Sequence, residues 1–229
     1  MNKLLLFDID GTLISGRGIP KKVALNVFRK HFPQFEKGED VRFNGMTDPL
    51  IVKELLAANN YHIEMDNPII EQILDEFIDE LKLHANPNTP PTILPGVMEL
   101  LESCSQMDDV YIGIVTGNLE KGALIKLSAV NIDHYFPVGA YGSDHWDRNQ
   151  LPPIAVKRSE EYFNITFLDE NIWIIGDSIK DVECARVNKL KCLAVETGKI
   201  SQESLAKAGA DKVLKDLTDT QYILDIINS

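Results

Sequence analysis

The chain has 229 residues, 44% of them hydrophobic and 25% charged, enough to bury a full core in one large domain or in one domain with an insertion. Its formal net charge of -12 excludes a nucleic-acid backbone or an anionic membrane as the main partner, because neither would be attracted, and leaves a small, locally held ligand open. With no apolar run of about 18 residues, no signal-peptide pattern after "MNK", and an odd cysteine count (Cys104, Cys184, Cys192) without CxxC spacing, a cytoplasmic protein with buried thiols is expected.

In chain order the first predicted element is the strand "KLLLF", followed at once by Asp8 and Asp10 and closed by Gly11 and Thr12. The next interval, from about Ser15 to Pro91, contains no convincing strand. It holds the helical patterns "KKVALNVFRKHF", "TDPLIVKELLAAN" and "PIIEQILDEFIDELKLHA", punctuated by "GRG", "NG" and the Pro-rich "NPNTPPTILPG". Such a block predicts a second, smaller all-helical domain over residues 16–91, with hinges near Ser15 to Gly18 and Asn86 to Pro95. Beyond it the strands "VYIGIV", "FPVGAYG", "IWIIG", "CLAVE" and the weaker "DKVLK" alternate with helical stretches, from "GVMELLESCSQM" to the terminal "DTQYILDIIN". Strands apolar on both faces and alternating with helices imply a parallel sheet covered on both sides, with right-handed crossovers. Residues 1–15 and 92–229 are therefore expected to form a doubly wound, Rossmann-like α/β core.

In open parallel sheets ligands bind beyond the carboxyl ends of the strands, where Asp8 and Asp10 fall. The same edge receives Thr116, Gly117 and Asn118 from "IVTGN", Ser143, Asp144 and Arg148 from "YGSDHWDR", and Asp177 and Asp181 from "IIGDSIKD". Taken singly, an aspartate in such a place can be a helix cap; four of them beside "TGN" at one sheet edge point to a site. Crowded carboxylates repel unless protonated or bridged by a cation, and oxygen ligands without His or Cys favour Mg²⁺. A hydroxyl and backbone N–H groups at "TGN", beside a cation from Arg148 or a lysine, would receive an anion's oxygens.

Together these residues resemble the haloacid dehalogenase-like hydrolase superfamily, most of whose members are phosphatases. The motifs are "DIDGT", Thr116 in "IVTGN", a basic residue, and "GDSIKD", in that order. "LPGVMELLE" and "GDSIKDVECAR" are most similar to the phosphoglycolate phosphatase-like and β-phosphoglucomutase-like branch, and the helical insert stands where that family has its cap. The resemblance implies a Mg²⁺-dependent phosphatase acting on a small phosphorylated metabolite. It makes Asp8 the nucleophile that becomes an aspartyl-phosphate and Asp10 the acid and base. Thr116, Gly117 and Asn118 would hold phosphate, and Mg²⁺ would be bound by Asp8, the Asp10 carbonyl and Asp177, with Asp181 in support.

The third motif departs from the family's usual Lys-Pro: "DRNQLPPIAVKR" offers Arg148, Lys157 or Arg158. Helical spacing puts Ala155, Ser159, Tyr162 and Phe163 on one stripe and Lys157 opposite, toward solvent. Arg148, in the loop leaving a strand at the catalytic edge, is preferred, with Lys157 as the alternative. In the cap, "FNGMTDPLIV" brings Asn44, Gly45, Thr47 and Asp48 to face the crevice on closure, although Thr47 or Asp48 followed by Pro49 also reads as a helix cap. Arg17 lies at the first hinge, the five histidines form no ligand spacing, and Trp146 and Trp173 are expected to be packing residues. Two readings stay in competition with the phosphatase: a β-phosphoglucomutase-like phosphotransferase, and a non-enzymatic phosphoacceptor or binding module.

Overall fold

The computed structural model describes residues 1–84 and 90–228 of the chain. Strand β1 (Lys3–Phe7) is buried along its whole length and pairs in parallel with β4 (Val110–Val115) on one side and β6 (Ile172–Gly176) on the other. β5 (Gly139–Ala140), β7 (Lys191–Val195) and β8 (Lys212–Leu214) extend the sheet to the order β5-β4-β1-β6-β7-β8, parallel throughout. The chain runs outward from β1 through β4 to β5, then returns to the other side of β1 for β6, which opens a crevice around the carboxyl end of β1.

Side chains alternate along β1 because successive Cβ atoms point to opposite faces. Leu5 and Phe7 enter one core with α4 (Val97–Ser105), α5 (Glu120–Ser128) and α9 (Thr220–Asn228). Leu4 and Leu6 enter the other with α6 (Leu151–Phe163), α7 (Ile179–Val187) and α8 (Gln202–Ala208). This is the doubly wound architecture expected, with apolar layers on both faces of the strands.

Three helices stand apart as a cap: α1 (Ile19–His31), α2 (Asp48–Ala58) and α3 (Pro68–His84). They enclose a core of their own around Phe28, Leu55, Leu56 and Ile73. A second cluster, of Val23, Phe77, Ile78 and Leu81, packs against Leu119 and Ile125 and joins the cap to α5. The strands β2 (Ile14–Ser15) and β3 (Thr92–Ile93) pair antiparallel where the chain leaves for the cap and returns from it. The interval expected to lack strands thus begins on one, and two residues per strand are too few to show a period. Of the second hinge, the part from Asn86 to residue 89 lies outside the described residues. On α6 the buried stripe runs through Ala155 and Ser159 to Phe163, which meets Tyr111 at 4.8 Å between ring centroids, while Tyr162, expected on that stripe, is 62% exposed. Trp173 is a packing residue, but Trp146 is 45% exposed. All three cysteines are buried and free.

Candidate active site

Beyond the last residue of β1, Asp8 adds one more rung to the ladder by donating its backbone N–H to the Ile175 carbonyl at 2.9 Å. This holds its carboxylate, 4% exposed, where β1 and β6 end. A tight turn follows, in which the N–H groups of Leu13 and Ile14 both donate to the Ile9 carbonyl. Gly11 occupies φ 90° in this turn, and a Cβ there would run into the Asp177 carboxylate, so both conformation and space require glycine. Gly198, in the loop after β7, approaches the same carboxylate even more closely, and the Thr197 hydroxyl ties that loop to the turn by donating to the Gly11 carbonyl at 2.5 Å.

Asp177 is the first residue beyond β6, and Ser178 caps α7. Asp181 completes a capping box: one of its oxygens, Oδ2, accepts from the Ser178 N–H at 3.0 Å and from the Ser178 hydroxyl at 2.7 Å. Its other oxygen takes an ion pair with Arg148, whose guanidinium also lies 3.0 Å from Asp8 Oδ1. Arg148 is buried in a single turn of 3₁₀ helix, Arg148–Gln150, capped by Asp147, and reaches the Val115 carbonyl of the core and the Gly45 carbonyl of the cap. Asp181 therefore serves as helix cap and as anchor for the arginine at once. Lys157, the alternative basic residue, is 77% exposed on α6 and faces Glu161 one turn on at 3.9 Å. Arg158 forms a bidentate pair with Asp144 at 2.7 Å to each oxygen, and Asp144 also accepts from the Tyr141 N–H. Asp144 and Ser143, placed at this edge from sequence, thus hold the loop together, the Ser143 hydroxyl by accepting from the Glu120 N–H.

Burial pushes the Asp8 carboxyl up to about 6; Arg148 pulls against this, and the charges of Asp181 and Asp10 add to it. Burial raises Asp177 further, to about 8, with Asp8 and Asp181 reinforcing it. Burial would depress Arg148, but Asp181 and Asp8 outweigh it and raise its pKa. Asp8, Asp177 and Asp181 each place a carboxylate oxygen within 4.8 Å of the others. One guanidinium is thus set against three buried carboxylates, and the remaining negative charge is what a small hard cation offsets. The all-oxygen donor set fits Mg²⁺.

On the other side of β1, Thr116 is buried at the end of β4 and its hydroxyl accepts from the Asn118 side-chain amide at 2.8 Å and from the Asn118 backbone N–H at 3.4 Å. The same amide nitrogen donates to Asp10 Oδ2 at 2.9 Å. A buried lysine on α5, Lys126, also donates to Asp10 Oδ2, at 2.5 Å, and to the Asn118 carbonyl oxygen. Lys126 was not picked out from sequence. Its signal is a lysine on the buried stripe of a helix, in line with Gly122, Ala123 and Leu127.

The cap closes over these groups through residues 44–48. Thr47 caps α2, accepting from the Leu50 N–H at 3.4 Å, and donates its hydroxyl to the Trp146 carbonyl of the core at 2.6 Å. Asp48 donates its N–H to the Gly117 carbonyl at 2.7 Å and accepts from the Leu119 N–H at 2.8 Å. Burial raises Asp48 to about 6, against the pull of Lys126 and the Leu119 N–H. A Cβ on Gly117 would meet the Met46 carbonyl, so glycine is what lets the cap come this close. Asn44 is exposed beside this contact, and Arg17 donates to Thr92 Oγ1 across the β2/β3 hinge at 2.5 Å.

A family model described as haloacid dehalogenase-like hydrolase matches residues 5–195. The chain belongs to that family. As a haloacid dehalogenase-like hydrolase it is an enzyme, and its acidic cluster, sheet order and helical cap agree with the resemblance drawn from the motifs. It is 26% identical over 218 residues to a phosphoglycolate phosphatase of Pseudomonas syringae pv. tomato, covering 94% of this chain and 77% of the relative. It is 24% identical over 227 residues to a validoxylamine A 7'-phosphate phosphatase of Streptomyces hygroscopicus subsp. limoneus, covering 97% of both. Its fold matches the crystal structure of a hydrolase from Pseudomonas syringae over the full length of both chains, with a TM-score of 0.77 at 23% identity.

Proposed function

We propose that this hydrolase is a Mg²⁺-dependent phosphatase that hydrolyses the phosphate monoester of a small metabolite through an aspartyl-phosphate on Asp8, with residues 16–91 as its cap. The observation that carries the reading is a buried carboxylate, Asp8, within ion-pair distance of Arg148 and inside an oxygen-only acidic cluster. The phosphorylated substrates named for relatives at 24–26% identity support it, and a phosphoglycolate-like ester is the first to test.

In the first step an Asp8 oxygen bonds to phosphorus as the ester P–O bond breaks, and Asp10 passes its proton to the leaving oxygen, giving the free alcohol. In the second, water attacks the same phosphorus and gives a proton back to Asp10 while the bond to Asp8 breaks, releasing inorganic phosphate. Thr116 with the backbone at Gly117 and Asn118 receives phosphate oxygens, and Arg148 offers the nucleophile and the phosphate a fixed cation. Mg²⁺ held by Asp8, the Asp10 carbonyl and Asp177, supported by Asp181, would reduce the repulsion between nucleophile and phosphate. Asn44, Thr47 and Asp48 are the cap residues assigned to meet the substrate in this reading. Free, buried cysteines suit a reducing compartment, so the cytoplasm is the proposed location. Among the described residues no helix is long and apolar enough to cross a membrane.

The deciding experiment is phosphate release from p-nitrophenyl phosphate and a panel of small phosphate esters, phosphoglycolate included, with and without Mg²⁺, in wild type and Asp8→Asn. Mg²⁺-dependent turnover that Asp8→Asn abolishes is expected. Absence of turnover from every ester would overturn the phosphatase, and interconversion of hexose phosphates only in the presence of a hexose bisphosphate would make the enzyme a mutase.

A further inference from the structure

Lys126 is 4% exposed in the middle of the site, and the steps above make no use of it. An ammonium only donates, so its bond to Asn118 fixes that amide with the oxygen toward Lys126 and the nitrogen away from it. The nitrogen is thereby aimed at Asp10 Oδ2 and Thr116 Oγ1, at 2.9 Å and 2.8 Å. Two consequences follow from counting donors. Asp10 Oδ2 receives both Lys126 and Asn118 and can only accept, which leaves Oδ1 as the oxygen free to exchange a proton with substrate. Thr116 Oγ1 accepts from Asn118 twice, which turns its own hydrogen away from that residue and frees it for a phosphate oxygen. A single buried cation, acting through one amide, therefore orients groups on both β1 and β4.

We propose that Lys126 is a positioning residue that fixes which oxygen of Asp10 meets the leaving group. The proposal rests on the phosphatase reading above. It predicts a selective defect, because an alkoxide needs a proton to depart and p-nitrophenolate does not. Transfer to Asp8 with loss of the leaving group is the first irreversible step, so kcat/KM reports it for both kinds of ester.

The test compares kcat/KM for the best alkyl phosphate of the panel with that for p-nitrophenyl phosphate in wild type, Lys126→Met and Lys126→Gln. Lys126→Met is expected to lose about 100-fold on the alkyl ester and less than about fivefold on the aryl ester. Lys126→Gln keeps a donor of similar reach and is expected to recover at least about tenfold on the alkyl ester. Equal losses on the two esters, or no loss on either, would overturn the proposal while leaving the phosphatase intact. A wild type that turns over neither ester removes the phosphatase reading, and this proposal with it. Should Lys126→Met fail to fold, the two-ester ratio in Lys126→Ala decides: a shift against the alkyl ester supports the proposal, and an unchanged ratio overturns it.

Discussion

Arg148 divides its guanidinium among Asp8, Asp181 and the carbonyls of Val115 and Gly45, so its charge and its planar fork are both in use. Arg148→Ala is expected to lower kcat by roughly 100- to 1,000-fold, the scale of losing one fixed donor to a developing charge. Arg148→Lys should recover only part of this, because a point charge cannot span two carboxylates and two carbonyls. Steady-state kinetics of the two variants checks it, and near-normal activity in the alanine variant would remove Arg148 from the chemistry. The sequence made Arg148 legible because its loop leaves a strand at the catalytic edge. Lys126 was harder to read: its place on the buried stripe of α5 is a local signal, but its partner Asp10 lies 116 residues away, and no local pattern names that partner.

At the level of elements, cap and core meet through the apolar cluster against Leu119 and Ile125 and through polar contacts that include Asp48 N–H to the Gly117 carbonyl and Thr47 hydroxyl to the Trp146 carbonyl. Thr47 carries two duties, capping α2 as its helix-cap reading expects and clasping the core through the Trp146 carbonyl. Thr47→Ala should cost about 1 kcal/mol at the helix cap and more through the lost clasp, shifting the closed state toward opening and raising KM roughly fivefold. Michaelis kinetics with a small ester reads the effect, and an unchanged KM would mean that this contact does not govern closure. Helices and long strands were legible in the sequence because apolar residues recur at their own period. The β2/β3 ribbon was not, and β5 shrank to Gly139–Ala140 within a longer apolar stretch, since strands of two residues have no period to display.

Over the whole molecule, the acidic cluster links stability to pH and metal. Without metal, Asp8 and Asp177 hold their protons in the folded state to about 6 and about 8, against 3.8 as the unperturbed value. Between these limits the two groups bind more protons in the folded state than in the unfolded one, so their contribution to stability falls as pH rises from about 4 to about 8. Mg²⁺ should oppose that fall. Melting temperatures measured at pH 5 and pH 8 are expected to show a Mg²⁺ gain of about 5 °C or more at the higher pH and little at the lower, where protons compete for the same oxygens. A gain that is equal at both values would place the metal away from these carboxylates. Asp8, Asp10, Asp177 and Asp181 were readable beforehand because each falls at a strand end or helix start that its neighbours define. Their mutual distances were not, because they depend on which strands lie beside β1.

The sheet order β5-β4-β1-β6-β7-β8 also sets a timetable for synthesis. Asp8 is made before every partner described around it: its cation comes from residue 148, its acidic neighbours from residues 177 and 181, and the loop that ties down its turn from residue 197. A growing chain therefore carries Asp8 without a site around it until residue 197 has been added. Reactivity toward phosphate esters can arise only after those later partners have joined the fold, so the order of synthesis keeps Asp8 idle while they are still to come.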